Sequence, residues 1–451
     1  MAKSQIKLHP KLARFLGNVE KRMELKDIII NPSFEVGYIN TGSTMLNLLI
    51  GGSRLANGSF VCPGWPKGSI SEIIGRESSG KTTVALTAMA QALAIGGCGL
   101  YVDLECAVKD HYAMKLGVDF RSPELGGDGK AVRASPHTFE ETEAIVTAAA
   151  LQGIDIIVID SVAGLVSRRD IHRDPSNPKE KQGIAEVPRL MSAWMPKLQQ
   201  IIARTKTCVI FTNQTRDKIG SVGYTEESTK STTGGNALKF WASIRMWLKP
   251  KMATKAKLFN PLLNKHEDVQ IATDIECRMY KNKIDARQGH SGLITIRYGV
   301  GIDELRTLMN VAEAYNIVNT SGKKKKDKDK DDKDDKDKKN SEKSIEYSFK
   351  SSSTGKLISA KGIERFRISL VKEPDVFEDF KSICTERILQ GFRQIDDEEL
   401  ANLVEGAEFK SMDDDNDVYL DGDLPDEIEA DANELAELDD SVGVASVTVD
   451  I

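Results

Sequence analysis

The sequence predicts an α/β fold, a mostly parallel central sheet flanked by helices, on three observations. A β-branched run, "GSISEII", passes through a glycine-bracketed turn into "TTVALTAMAQALAI", whose apolar residues recur at three- and four-residue steps; strand, loop and helix follow in immediate succession. Two further apolar runs, "GGCGLYVDLECAV" and "GIDIIVIDSVAGL", read as buried strands that end in carboxylates. The pattern then stops at "KKKKDKDKDDKDDKDKK", residues 323–339, which holds no apolar residue and cannot offset the entropy of ordering.

The first strand, loop and helix have the chemistry of a phosphate cradle. Glycines at both ends of the turn, Gly75 and Gly80, let backbone N–H groups point inward at phosphate oxygens, and the helix N-terminus adds its dipole. Lys81 can reach the β and γ oxygens and the Thr82 hydroxyl can ligate Mg²⁺, while Glu77, Ser78, Ser79 and Thr83 complete the candidate nucleotide-binding segment. The alternative is a glycine-rich turn with no ligand. Asp160, ending the third strand, suits a carboxylate that holds the metal beside Thr82. The candidate cofactors are therefore ATP and Mg²⁺, with Thr82 and Asp160 as metal residues. Beyond the second strand, which ends at Asp103, Glu105 is the candidate base, because a carboxylate beside a γ-phosphate can orient and deprotonate water. A cap or structural ion pair is its alternative role.

Composition bounds the rest. No apolar run approaches the roughly 18 residues of a membrane span, and "MAKSQIKLHPKLARFLG" has no apolar signal core. A cytoplasmic protein, of a cell or of a virus-infected host, without a membrane partner is expected. Cys62, Cys98, Cys106, Cys208, Cys277 and Cys384 are scattered without CxxC or zinc spacing, so buried reduced thiols are expected. Charge is divided unevenly: residues 396–451 hold 21 Asp and Glu against Lys410, a net of −20, which leaves +14 on residues 1–395 of an overall −6. The tail either solubilises the protein or competes with polyanions for a basic body.

Taken in order, "GRESSGKTT", "YVDLECAVKDHYAMKLGVD", "DIIVIDSVAGL", "VIFTNQTRDKIG", "STTGGNALKFWASIR" and "YKNKI" resemble the signature blocks of RecA-type homologous recombinases, closest to the bacterial type, over residues 37–319. A generic nucleotide-binding core would share only the first and third. The resemblance implies that Tyr112 stacks on adenine, where simple core packing is the alternative, and that Tyr298 joins the nucleotide residues. It implies that Gln214 senses the γ-phosphate at the root of a DNA-binding loop, a side-chain amide being able to bond phosphate in one state and release it in another. By the same resemblance Lys281 and Lys283 reach a neighbouring subunit's ATP site, where two cations can neutralise transition-state charge, and Phe240 is an interface residue; ordinary surface charge is the alternative for the lysines.

The resemblance also implies two DNA-binding loops. The second, residues 215–235, offers Arg216 and Lys218 as phosphate charge, Ile219 as a wedge between bases, and Thr233, Gly234, Gly235 and Asn236 as hydroxyl, backbone and amide donors. The first, residues 168–189, departs from the family: it is longer and richer in proline, and although Arg189 matches a DNA-contacting arginine, a further basic position is Pro196 here. Arg76 stands where the family has proline, and residues 52–66 read as an insertion.

The resulting organisation is an N-terminal oligomerisation segment over 1–35 with an amphipathic helix, a RecA-like ATPase core over 36–320, a disordered Lys/Asp linker over 321–344, a small α+β domain over 345–395 and a disordered acidic tail over 396–451. The implied function is a DNA-dependent ATPase that forms homo-oligomeric filaments on single-stranded DNA and exchanges strands with double-stranded DNA, with single-strand-binding and loading proteins as further partners. A ring helicase or branch-migration motor on the same core is one alternative; a DNA-coating protein switched by ATP, with no need of Glu105, is another. Truncation after Gln394 should raise duplex-DNA affinity at about 50 mM salt, and the gain should shrink as the Debye length falls to about 8–10 Å. Equal affinities measured for the two proteins at low salt would leave the tail as a solubiliser.

Overall fold

A computed structural model of the chain describes residues 37–172, 186–217, 230–285, 287–321 and 345–392. The expected N-terminal helix, Lys218, Ile219, the centre of the first loop, the Lys/Asp run and the acidic tail lie outside them. The chain enters through β1 (Tyr38–Ile39), which pairs with β2 (Trp65–Pro66), and α1 (Thr44–Gly51). It then builds one large sheet from β3 (Ile70–Gly75), β4 (Gly99–Asp103), β5 (Ala131–Ala134), β6 (Ile156–Asp160), β7 (Cys208–Asp217), β8 (Lys230–Thr232), β9 (Ile244–Asn260), β10 (Lys265–Asn282), β11 (Ser291–Arg297) and β12 (Gly301–Ile302). The strand order is β12-β11-β10-β9-β3-β7-β6-β4-β5, with β8 paired to β7. From β9 to β5 every neighbouring pair is parallel, and the β9 to β12 side is antiparallel.

Helices connect the parallel strands and cover both faces, as parallel strands require. They are α2 (Lys81–Ala94), α3 (Asp110–Leu116), α4 (Phe139–Leu151), α5 (Arg168–His172), α6 (Glu186–Thr205) and α7 (Ala237–Trp241). Strand side chains alternate between two apolar cores. Tyr101, Val158 and Ile210 join the α1 and α2 residues in one core, while Leu100, Val102, Ile157, Ile159, Val209 and Phe211 join α4, α6 and α7 in the other. Trp194 of α6 locks the second core, edge-on to Phe139 at 5.6 Å and to Phe211 at 6.1 Å.

β9 and β10 run past the sheet. β3 pairs with β9 only as far as Leu248 and β11 with β10 only from Ala272, so the outer halves pair with each other alone, from Lys265↔Asn260 to Gln270↔Lys255. This two-stranded ribbon exposes Leu258, Phe259 and Val269, and Leu262 at its tip is 93 % exposed.

After α8 (Glu304–Ala314), β13 (Asn319–Ser321) leaves the large sheet and pairs with β14 (Glu346–Lys350), which pairs with β15 (Leu357–Lys361). The β14–β15 turn holds Thr354 and Gly355, so the alternation read in the sequence is a hairpin. α9 (Ile363–Val371) and α10 (Pro374–Gly391) complete this segment, and their buried side chains Phe366, Leu370, Phe380 and Ile388 belong to the same apolar core as α1 and α2. Residues 52–66, read in the sequence as an insertion, pack here too: Ser53 donates through its amide and hydroxyl to Asp285, at 2.8 and 2.6 Å, and Arg54 pairs with Glu386 of α10.

All six thiols are free. Four are buried as expected, but Cys98 is half-buried and Cys106, on the loop after β4, is exposed; the small β-to-helix connection leaves no element to cover it. Burial, with Asp285 nearby, pushes the Cys62 thiol up to about 12.

The C-terminal segment is fastened by a buried charge. Asp303 caps α8 by accepting from the Arg306 amide at 3.0 Å, and it receives two guanidinium bonds from Arg367 of α9 at 2.6 and 2.9 Å. Burial opposes the charge on Asp303, but the Arg306 amide and Arg367 outweigh it and hold the carboxyl below its ordinary range. Its contribution is therefore full above about pH 4 and is lost as pH falls through the lowered value. Arg297 also pairs with Asp303, at 2.6 Å, so Arg367→Ala removes two of several charge-assisted bonds and should cost about 1.5–3 kcal/mol, read by urea unfolding at neutral pH; a loss under about 0.5 kcal/mol would mean that Arg297 and water replace the lost guanidinium.

Candidate active site

The turn between β3 and α2 bends back on itself. Gly80 takes φ +88°, open to glycine, and a Cβ there would strike Ile296 and Ile275. The backbone can curl because nothing projects from it. Lys81, the first residue of α2, is buried and donates from Nζ to the Gly75 carbonyl at 3.2 Å and the Arg76 carbonyl at 2.8 Å. Burial lowers its pKa, against the nearby charges of Asp160, Glu105 and Glu77. In front of the turn lies a cavity of about 410 Å³ lined by Glu77, Ser78, Ser79, Gly80, Lys81, Thr82 and Thr83 together with Glu105, Tyr112, Asp160, Gln214 and Tyr298. The cavity thus gathers the candidate nucleotide, metal and base residues from six separate elements.

Asp160 is held by three hydroxyls. Thr82 donates to it at 2.7 Å, Tyr101 at 2.5 Å, and Thr212 bonds its other oxygen. Burial, and then the charge of Asp160, raises the Tyr101 phenol well above its usual value, so it stays a donor. Asp103 lies opposite Asp160 in the β4–β6 register and caps the following loop, accepting from the Ala107 and Val108 amides; burial raises its carboxyl. Glu105 lies two residues on, beyond the strand, and is exposed to the cavity. One oxygen accepts from the Ser161 hydroxyl and from Gln214 Nε2, the latter at 2.8 Å. A carboxylate fixed by two donors keeps its second oxygen for a third partner.

The donor set suits Mg²⁺. Among the described residues no three His, Cys, Asp or Glu side chains cluster as a metal cage, and Mg²⁺ is commonly held by one or two protein oxygens, waters and substrate phosphates. Thr82 and Asp160 would supply the protein oxygens. At the cavity's other end the Tyr112 hydroxyl bonds Thr83 at 2.8 Å while its ring packs on the core. Tyr298 is tied by its hydroxyl to Gln270 and Thr273, each at 2.7 Å.

Lys281 and Lys283 lie outside the cavity lining. Lys281 Nζ caps the C-terminal end of α7, donating to the carbonyls of Lys239 at 2.6 Å and Phe240 at 2.9 Å; burial, then Lys283 and Arg245, lowers its pKa. Lys283 is exposed beside it, and Phe240 is 71 % exposed on the same surface. Cations and an uncovered aromatic therefore share one face away from the cavity.

The two loop regions meet at their ends. β7 and β8 pair from Thr215↔Thr232 to Asp217↔Lys230, so Arg216 lies in the ladder that closes the second loop. Thr233 follows, then Gly234 and Gly235 at φ +87° and +73°. A Cβ on Gly234 would press on Val162, next to the Asp160 strand end, and one on Gly235 on Pro188 at the start of α6. Asn236 is exposed at the head of α7, and Arg189 is exposed on the first turn of α6. Pro196 lies within α6.

Sequence reading missed Tyr101, Thr212, Ser161 and Asn213. Strand alternation was the available signal for the first two: Tyr101 shares a face with Asp103, and Thr212 with Gln214. Nothing local marks Thr273 or Ile296, which β10 and β11 bring to the cavity from antiparallel strands far along the chain.

Comparison with known proteins gives the family. A family profile described as the RecA N-terminal domain matches residues 12–303. "Protein RecA" of Thermus aquaticus is 35% identical over 292 residues, 64% of this chain and 76% of that protein. "Protein RecA" of Mesoplasma florum is 32% identical over 324 residues, 71% of this chain and 87% of that protein. That of Borrelia duttonii is 32% identical over 311 residues, 68% and 79% of the two chains. The profile covers more than half of the chain, and it takes in every strand of the large sheet; the chain belongs to the RecA family of recombinases.

Proposed function

We propose that the chain is a DNA-dependent ATPase that assembles as a helical homo-oligomer on single-stranded DNA and pairs and exchanges it with double-stranded DNA. One observation carries the reading: Gln214, at the root of the β7–β8 loop, bonds Glu105, the carboxylate positioned as base in the nucleotide cavity. A residue whose side chain bonds a catalytic group while its backbone lies in the strand that enters a loop can make each depend on the other.

In this reading the backbone amides of residues 77–82 and Lys81 hold the phosphate chain, Tyr112 and Tyr298 flank the base end, and Thr82 with Asp160 hold Mg²⁺, which when bound neutralises phosphate charge. Glu105 takes a proton from water; Ser161 and Gln214 keep its carboxylate aimed and leave one oxygen for that proton. Tyr101 and Thr212 fix Asp160 so that Thr82 stays at its side. Lys281 and Lys283, which share a face with Phe240 outside their own cavity's lining, would serve an adjoining subunit's cavity in this reading. Arg189, Arg216, Lys218 and Ile219 with the Thr233 to Asn236 turn form the DNA surface.

Glu105→Gln keeps the shape but removes the base, and it should slow hydrolysis by about 10²–10⁴ with nucleotide and DNA binding retained. Turnover within a few-fold of the parent, in a phosphate-release assay with single-stranded DNA, would mean another group positions the water. The paired substitution Lys281→Ala with Lys283→Ala should likewise remove DNA-stimulated hydrolysis. Mixing it with Glu105→Gln should restore activity, because some interfaces then join intact lysines to an intact base. Activity no higher than either variant alone would argue that the lysines do not act across an interface.

A further inference from the structure

Successive residues of β7 face opposite sides of the sheet. Gln214 looks into the nucleotide cavity, whereas Asn213 is fully buried on the side of α6 and α7. Asn213 Nδ2 donates to Glu72 Oε1 at 2.8 Å and to the Thr233 backbone carbonyl at 3.0 Å. The other oxygen of Glu72 accepts from Arg245 Nε at 2.6 Å, and the Glu72 side chain is completely enclosed. Both amide hydrogens of Asn213 are therefore engaged. One hydrogen of the amide nitrogen is fixed to a buried ion pair, and the other holds the carbonyl of the first residue after β8.

Two atoms at this junction lack partners: Asn213 Oδ1 and Thr233 Oγ1 are buried and unpaired. One is an acceptor and the other a hydroxyl that can donate. Buried polar atoms left unpaired are disfavoured, so an arrangement in which the Thr233 hydroxyl turned to Asn213 Oδ1 would satisfy both. The loop end thus has two ways to bond the same amide. The strand around it has little freedom, because Asn213 and Gln214 sit opposite Ile74 and Gly75 of β3 and the next three residues are zipped to β8. A shift of Gln214 against Glu105 cannot leave Asn213 where it is.

We propose that Asn213 is a positioning residue that carries a shift of Gln214 at the nucleotide cavity to the loop end at Thr233–Asn236, through the sheet from one face to the other. This rests on the reading that the cavity takes ATP and the loop takes DNA, but it needs no DNA to be tested. The measurement is amide hydrogen exchange of the full chain in peptides covering residues 230–241, with and without a non-hydrolysable ATP analogue. In the parent the analogue should change exchange there by about tenfold, within the usual range of coupling between sites. In Asn213→Ala the change should fall to within about twofold, while analogue affinity stays within about threefold.

Asn213→Ser, which keeps a short donor, should recover part of the response. It also serves if Asn213→Ala does not fold. A parent-like response in Asn213→Ala, or in Asn213→Ser if only that variant folds, overturns the proposal, as does a parent whose exchange ignores the analogue. Faster exchange by the same factor with and without the analogue, the response itself unchanged, would also overturn it in favour of a merely structural role. DNA-stimulated hydrolysis is followed separately: its absence from the parent would refute the ATPase reading, while the exchange response would still judge Asn213.

Discussion

The register between neighbouring parallel strands is the constraint on which the cavity depends. Asp103 stands opposite Asp160 across β4 and β6, and Gly75 opposite Gln214 across β3 and β7. Side chains alternate with a period of two, so a slip of one residue in β6 would carry Asp160 away from α2 and into the apolar layer under α6. Packing forbids the slip because both faces are filled. Val158 and Ile157 are both fully buried, on opposite sides, and neither could change places with its neighbour without opening a cavity in one core and crowding the other.

This constraint explains what could be read from the chain. The β3 turn with Lys81 and Thr82 is local chemistry, and its glycines and hydroxyl are adjacent in sequence for the same reason that they are adjacent in space. The apolar runs ending in Asp103 and Asp160 were legible because parallel strands buried on both sides leave few polar positions except at their ends. Tyr101, by contrast, looks like any core aromatic in the sequence, and only its bond to Asp160 distinguishes it. The lysine pair presents a different difficulty. Lys281 is engaged with the end of α7, a contact set by the packing of a five-residue helix that no periodicity announces. The cysteine expectation failed at Cys106 because the residue follows a buried strand but lies one step past the turn that leaves it.

Away from the cavity, two segments are fastened by bonds to fixed elements. Ser53, after α1, is held by Asp285 just past β10, and Arg367 of the C-terminal segment by Asp303 at the head of α8. In each case a buried carboxylate accepts several donors, which gives direction as well as strength to the contact. The buried pair of Glu72 and Arg245 is of the same kind, but it sits under the sheet's centre, where β3 lies between β7 and β9.

The ribbon formed by the outer halves of β9 and β10 is tied at its stem, where Gln270 bonds Tyr298 and Thr273. Beyond that point its strands pair with no third strand among the described residues. Each cross-strand pair added or removed there would move the tip by about 3.4 Å and exchange the directions faced by Phe259 and Leu258, with no change at the stem. The ribbon is in that sense an arm of adjustable reach: its length can drift by small insertions and deletions while the cavity below keeps its dimensions, so how far the molecule extends is set independently of the chemistry it carries.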